Sequence, residues 1–178
     1  MYKILRFFLF LMDPEEAHYA TLKSLKILVK IPILGWLVKQ FYTVKNKKLE
    51  KQFFGLQFRN PVGLAAGLDK NAEYIEALSC LGFGFIEVGT VTPLPQEGNP
   101  KPRLFRVKQD RAIINRMGFN NAGMEVVRNN ILEYRNKHPK SSLIIGVNIG
   151  KNKVTPNEIA KKTISNALII CMIWQIIL

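Results

Sequence analysis

Gly63-Leu64-Ala65-Ala66-Gly67-Leu68-Asp69-Lys70-Asn71 is the stretch whose reading decides the fold. It follows the turn signal Asn60-Pro61 and precedes a helical pattern. Small residues at the end of a strand let a flat, large ligand lie against the backbone, and a lysine just past them can meet an anion. Taken alone, the stretch also fits a tightly packed strand followed by a solvated lysine.

Two more segments share its form, a strand whose C-terminal end carries polar groups or glycine. They are Phe85-Ile86-Glu87-Val88-Gly89-Thr90-Val91-Thr92 and Leu143 to Lys151, which contains Val147-Asn148-Ile149-Gly150. Helical patterns separate the three, over Ala72 to Leu81 and Met124 to Lys137. That βαβα order predicts an α/β fold with a parallel sheet, in which chemistry gathers at the C-terminal strand ends.

The 178 residues are 48% hydrophobic, enough for a packed core, and carry a net charge of +13. A basic balance points to an anionic ligand, an anionic membrane surface or nucleic acid. No zinc-finger, ribonucleoprotein or helix-turn-helix signature accompanies it, so nucleic acid is not expected. Cys80 and Cys171 have no motif spacing, and neither a disulfide framework nor a metal site is expected.

Much of the basic excess lies in the first 51 residues. Tyr2 to Met12 is apolar, with Lys3 and Arg6. Asp13 then reads as an N-cap, Pro14 as the first helical position, and Glu16 completes a capping-box spacing for a helix running through His18, Leu22 and Leu28. A third apolar stretch, Ile31 to Val38, is followed by Phe41-Tyr42. Each run is too short to span a bilayer. Short apolar helices flanked by lysine, with Trp and Tyr, fit either a monotopic membrane anchor or a helical hairpin packed on the domain. Further on, Phe53 to Phe58 reads as a short hairpin, Gly82-Phe83-Gly84 as a helix stop, and Pro93 to about Ile114 as one long loop.

Five motifs then take the chain beyond generic patterning. Asn60 to Lys70, Glu87 to Pro93, Lys101-Pro102-Arg103-Leu104-Phe105-Arg106, Asn115-Arg116-Met117-Gly118-Phe119-Asn120 and Val147 to Asn152 resemble, in order and spacing, those of the dihydroorotate dehydrogenase family. The leader containing Asp13-Pro14-Glu15-Glu16-Ala17-His18 is similar to that of its membrane-associated, quinone-using class. The resemblance covers residues 1 to about 162.

It implies the N-terminal part of an FMN-binding (β/α)8 TIM barrel, preceded by a small helical membrane- and quinone-binding segment. The segments would be 1–50 for the leader, 51–158 for the first three β/α units, and 159–178 for a tail that departs from the family. The implied reaction is oxidation of dihydroorotate to orotate in pyrimidine synthesis, with a membrane quinone reoxidising the flavin. The implied FMN contacts are Ala66, Gly67, Leu68, Asp69, Lys70, Thr90 and Asn148. Lys70 also faces substrate, together with Asn115, Arg116, Met117, Gly118 and Phe119. His18 and Arg106 match positions by the quinone tunnel. The implied location is peripheral on a membrane, on its cytoplasmic side in a bacterium.

The family's base is a serine in an Asn-x-Ser-Ser-Pro-Asn motif, which does not occur in these 178 residues, so no catalytic base is assigned. The chain is also shorter than the ~250 residues of a closed barrel. Thr163 to Leu178 fits either a genuine hydrophobic tail in contact with a membrane or a one-base frameshift of an amphipathic helix: regrouped, Met172-Ile173 requires Asp and Trp174-Gln175 requires Ala. The expectation is a truncated chain inactive by itself. The alternatives are a non-catalytic membrane-binding remnant and, more distantly, another FMN barrel of the dihydropyrimidine dehydrogenase kind.

Overall fold

A computed structural model describes residues 2–172. The chain opens with three helices, α1 (Tyr2–Leu11), α2 (Pro14–Lys30) and α3 (Pro32–Tyr42). Asp13 caps α2 as its position demands, Oδ1 accepting from the backbone N–H of Glu15 at 2.8 Å and of Glu16 at 3.3 Å. Pro32 has no N–H to continue the ladder, so Ile31 both ends α2 and starts α3. Ala17 and Leu22 are buried under α2, whereas Ile4, Phe7, Phe8, Trp36 and Phe41 lie exposed on the leader. Among the described residues, no helix is long and apolar enough to cross a membrane.

The expected hairpin forms from β1 (Lys51–Phe53) and β2 (Leu56–Phe58), antiparallel around Phe54-Gly55. There follow β3 (Gly63–Leu64), α4 (Ile75–Ser79), β4 (Phe85–Val91), β5 (Leu104–Val107), β6 (Ala112–Asn115), α5 (Met124–Lys137), β7 (Ile144–Ile149) and α6 (Asn157–Met172). β3, β4 and β7 make one parallel sheet in that order. Ile86 and Val88 of β4 and Ile145 and Val147 of β7 are buried, and one core takes them in with Ile75 and Leu78 of α4, Val127 and Ile131 of α5, and Leu22 of the leader. Alternation sends Phe85, Glu87, Ile144 and Gly146 to the other face, where they and the Phe53 to Phe58 hairpin line an apolar cavity of about 550 Å³.

Three expectations are corrected. The helix predicted over Ala72 to Leu81 is only Ile75–Ser79, because the Asp69 carboxylate takes the N–H groups of Glu73 and Tyr74 at 2.9 and 2.8 Å and holds the chain in a turn before it. The first strand is regular only at Gly63–Leu64, although Gly67 N–H still bonds Gly89 O at 2.8 Å. The long loop after Pro93 contains the antiparallel ribbon β5–β6, with Leu104 opposite Asn115 and Val107 opposite Ala112. The helix stop falls where expected: Gly82 has φ +82°, and a Cβ there would meet Tyr42 O at 2.3 Å as the leader passes over it. The reading of Thr163 to Leu178 falls partly outside the described residues, which end within α6.

The leader is seated on the rest by arginines of the 101–106 stretch. Glu15 and Arg103, both buried, form a bidentate pair, with Arg103 Nη2 2.7 Å from Oε1 and Nε 3.1 Å from Oε2. Arg103 Nη1 donates to the carbonyls of Glu97 and Asn99 at 2.6 and 3.0 Å. Arg106 donates to the carbonyls of Met12 and Leu9 at 2.8 and 3.0 Å, where a cation suits the C-terminal end of α1. The hydrogen bond from Arg103, more than the opposing cost of burial, holds the Glu15 carboxyl below its ordinary value of 4.5. Because the folded value is the lower one, the stabilisation is present above pH 4.5 and is lost as pH falls through the folded value. Arg103→Met is expected to cost about 3 kcal/mol in urea denaturation at pH 7, since it leaves a buried carboxylate with only the exposed Lys101 ammonium, 3.7 Å away, as its charge partner. Pairing it with Glu15→Gln should recover part of that loss and flatten the acid side of the stability profile. A loss below about 1 kcal/mol for Arg103→Met would place the pair among weak surface bridges.

Candidate functional site

Residues from three strand ends and from the segment after β6 converge on one cavity of about 460 Å³. Gly67 and Lys70 come from the turn after β3, Thr90 from β4, and Lys151 and Lys153 from just past β7. Asn115, Met117, Gly118 and Phe119 close its other side. This gathering follows from the parallel sheet, whose C-terminal ends all point the same way.

A larger cavity of about 980 Å³ lies between the leader and the sheet, with His18 and Tyr19 on one wall and Leu68 and Asp69 on the other. The larger cavity carries acids, bases, His18 and tyrosines, whereas the ionisable groups of the smaller one are all lysines. The smaller cavity joins strand-end backbone, a hydroxyl and three lysines, and it is the candidate site. Lys70 lines both. Its ammonium donates to Asn120 Oδ1 at 2.6 Å, and Asn120 Nδ2 donates in turn to the Tyr19 hydroxyl at 3.4 Å. Burial, assisted by the nearby Arg103 guanidinium, lowers the pKa of Lys70. Burial and then the charge of Lys70 also lower His18, which favours a neutral imidazole.

The fit of a flavin rests on the backbone. Gly67 has φ +113°, and no atom lies within 4 Å of where its Cβ would be, so its bare backbone faces open space in the cavity. A Cβ at Gly67 would fill that space, and a flat ring can lie there instead. Thr90 Oγ1 donates to Asn148 Oδ1 at 2.7 Å, which joins two neighbouring strand ends into one polar edge. This donor set fits a ring bearing amide-type groups.

Of the residues assigned by resemblance, the structure brings Gly67, Lys70, Thr90, Asn115, Met117, Gly118 and Phe119 to the smaller cavity. Asn148 joins them through Thr90. Leu68 and Asp69 line the larger cavity, and Ala66 lines neither. The Asp69 carboxylate is bonded to the turn before α4, and burial raises its pKa against the pull of those N–H groups. Arg116 sits outside the cavity, donating to Pro102 O at 3.0 Å. His18 lines the larger cavity, whereas Arg106 is bonded to α1. Sequence reasoning gave no role to Gln96, Asn99, Lys151 or Lys153 on the smaller cavity wall. Asn120 and Lys151 stood inside quoted motifs; Gln96 and Asn99 lay in a loop whose folding shows only in tertiary contacts, Gln96 pairing with Asn121 and Asn99 O accepting from Arg103.

The family model described as Dihydroorotate dehydrogenase matches residues 48–172. The curated relative from Christiangramia forsetii, named dihydroorotate dehydrogenase (quinone), is 56% identical over 159 residues, 89% of this chain and 45% of its own length. That from Hamiltonella defensa, with the same name, is 50% identical over 171 residues, 96% of this chain and 47% of its own length. The chain thus spans about half the length of the curated relatives it matches. Two crystal structures from Eimeria tenella, DHODH without ligand and DHODH in complex with ferulenol, superpose with TM-scores of 0.71 and 0.68 at 41% and 42% identity. They are covered over 89% and 88% of this chain and 42% and 40% of theirs. With its match extending over the sheet, the strand-end cavity and α6, the chain belongs to the dihydroorotate dehydrogenase family.

Proposed function

We propose that the chain forms the flavin- and substrate-facing part of a quinone-reducing dihydroorotate dehydrogenase, with β3, β4 and β7 as the first strands of its (β/α)8 barrel. The observation that carries this reading is the convergence of Gly67, Lys70, Thr90, Asn115, Met117, Gly118 and Phe119 on one cavity. FMN, when bound there, supplies the two-electron acceptor between dihydroorotate and a quinone. Gly67 gives its ring a bare backbone to lie on, and Thr90 with Asn148 holds its polar edge. The half-buried Lys70 ammonium faces the developing negative charge of a reduced ring and the carboxylate of dihydroorotate, where partial removal from water strengthens the attraction. Asn115 offers donor and acceptor to the dihydropyrimidine amides. Met117 and Phe119 keep water from the reacting face. The quinone is proposed to enter the larger cavity past His18, with Arg106 at the seam that positions α1.

Turnover is proposed for the whole-length protein and ligand binding for this chain. Titrating the purified chain with FMN should quench flavin fluorescence with saturation, and Lys70→Ala should weaken binding by about tenfold, one charge-assisted hydrogen bond. Free flavin fluorescence retained at every protein concentration would refute the site.

The leader supports a peripheral membrane location. Its exposed apolar side chains, Phe7, Phe8, Trp36 and the 84% exposed Phe41 among them, sit beside Lys3, Arg6 and Lys39. Co-sedimentation with phosphatidylglycerol vesicles should persist in part at high salt. Phe41→Ser should reduce partitioning about tenfold, the worth of one buried aromatic side chain. Complete release by salt would reduce the contact to charge alone.

A further inference from the structure

We propose that Glu87 is a positioning residue: it fixes which way the Asn148 amide points, and so decides which ring edge the Thr90–Asn148 pair can accept. Glu87 lies in register with Gly146 of β7. With no side chain opposite it, the carboxylate reaches diagonally along the sheet to Asn148, two residues further on, and Oε1 accepts from Nδ2 at 3.2 Å. Glu87 does not line the smaller cavity. It lies on the wall of the apolar cavity beside Phe58 and Phe85, and acts through Asn148.

The polarity follows from the inventory of protons. A carboxylate offers acceptors and no donor, so Asn148 must turn its NH₂ toward Glu87 and its Oδ1 toward Thr90. The Thr90 hydroxyl then gives its only proton to Oδ1, at 2.7 Å. What remains for a ligand is an acceptor on Thr90, and on Asn148 the second N–H and the second lone pair of Oδ1. The flipped amide would set Oδ1 against the Glu87 carboxylate and leave both without a donor, which is costly away from water. The two strand ends also pack closely around the pair. A Cβ on Gly89 would lie 2.5 Å from Asn148 O, and one on Gly150 would lie 2.9 Å from Thr90 Cγ2, so the backbone is pressed around both. The edge is therefore complementary to a ring carrying N–H beside C=O, and rejects a ring offering only acceptors at Thr90. This ligand part rests on the flavin reading above; the amide part stands without it.

Asparagine-selective ¹⁵N labelling tests the amide part on the protein without ligand, the Asn148 side-chain signals being assigned by their loss in Asn148→Ser. Glu87→Gln should shift both protons of that pair, and unchanged shifts overturn the proposal. The ligand part is tested with FMN and 3-methyl-FMN, which lacks the ring N–H. The protein should prefer FMN by about tenfold, and Glu87→Gln, which can donate and so frees the amide to flip, should reduce the preference below about threefold. Thr90→Val, which removes the acceptor without touching a charge, should abolish the preference in the same way and serves if Glu87→Gln does not fold. A preference retained in either variant overturns the assigned polarity. Uptake of neither flavin refutes the flavin reading, while the amide resonances still decide the role of Glu87.

Discussion

The buried pair between Glu15 and Arg103 is the constraint on which the two cavities depend. Neither group can stay ionised out of water without the other, so the N-terminus of α2 and the segment before β5 must meet. The same guanidinium holds the carbonyls of Glu97 and Asn99, which fixes the turn that walls both cavities. The surface pair Lys137–Glu133, at 2.7 Å, is shorter than many such contacts yet exposed on both sides, and water screens it. Burial, more than distance, separates a contact that organises the fold from one that decorates it.

The sheet performs a second division. β4 and β7 turn Ile86, Val88, Ile145 and Val147 toward the helices and Phe85, Glu87, Ile144 and Gly146 away from them. The apolar side holds the strands in register, and the irregularity between Val88 and Val91 lets Thr90 reach Asn148. A site built on paired strands is held more firmly than one on loops, because shifting one side chain would break a ladder of backbone hydrogen bonds.

Lys70 stands where the cavities meet, and its environment explains why one lysine can serve both. It is half-buried, it keeps one firm hydrogen bond to Asn120, and its charge reaches His18. Through Asn120 the strand-end turn is joined to Tyr19 on the leader, so the helices are part of the site and more than a tether.

How much of this was legible in the chain depends on how local the cause is. Asp13 and Pro14 start α2, Pro32 stops it, Gly82 ends the turn after α4, and the alternation of Phe85 to Val91 marks a strand; each acts through its own backbone or its immediate neighbours. The small residues ending at Gly67 and the polar strand ends at Thr90 and Asn148 likewise announced a site at one edge of a parallel sheet. The rest required contacts between distant segments. That the Asp69 carboxylate caps a turn and that Arg106 binds α1 is not written in their neighbours, and β5–β6 hid behind the prolines that precede it. Glu15, Asn120 and Glu87 stand inside quoted motifs, yet nothing local names their partners. Their partners lie 88, 50 and 61 residues away, at separations where sequence periodicity carries no information and only the packed core brings the groups within hydrogen-bond reach.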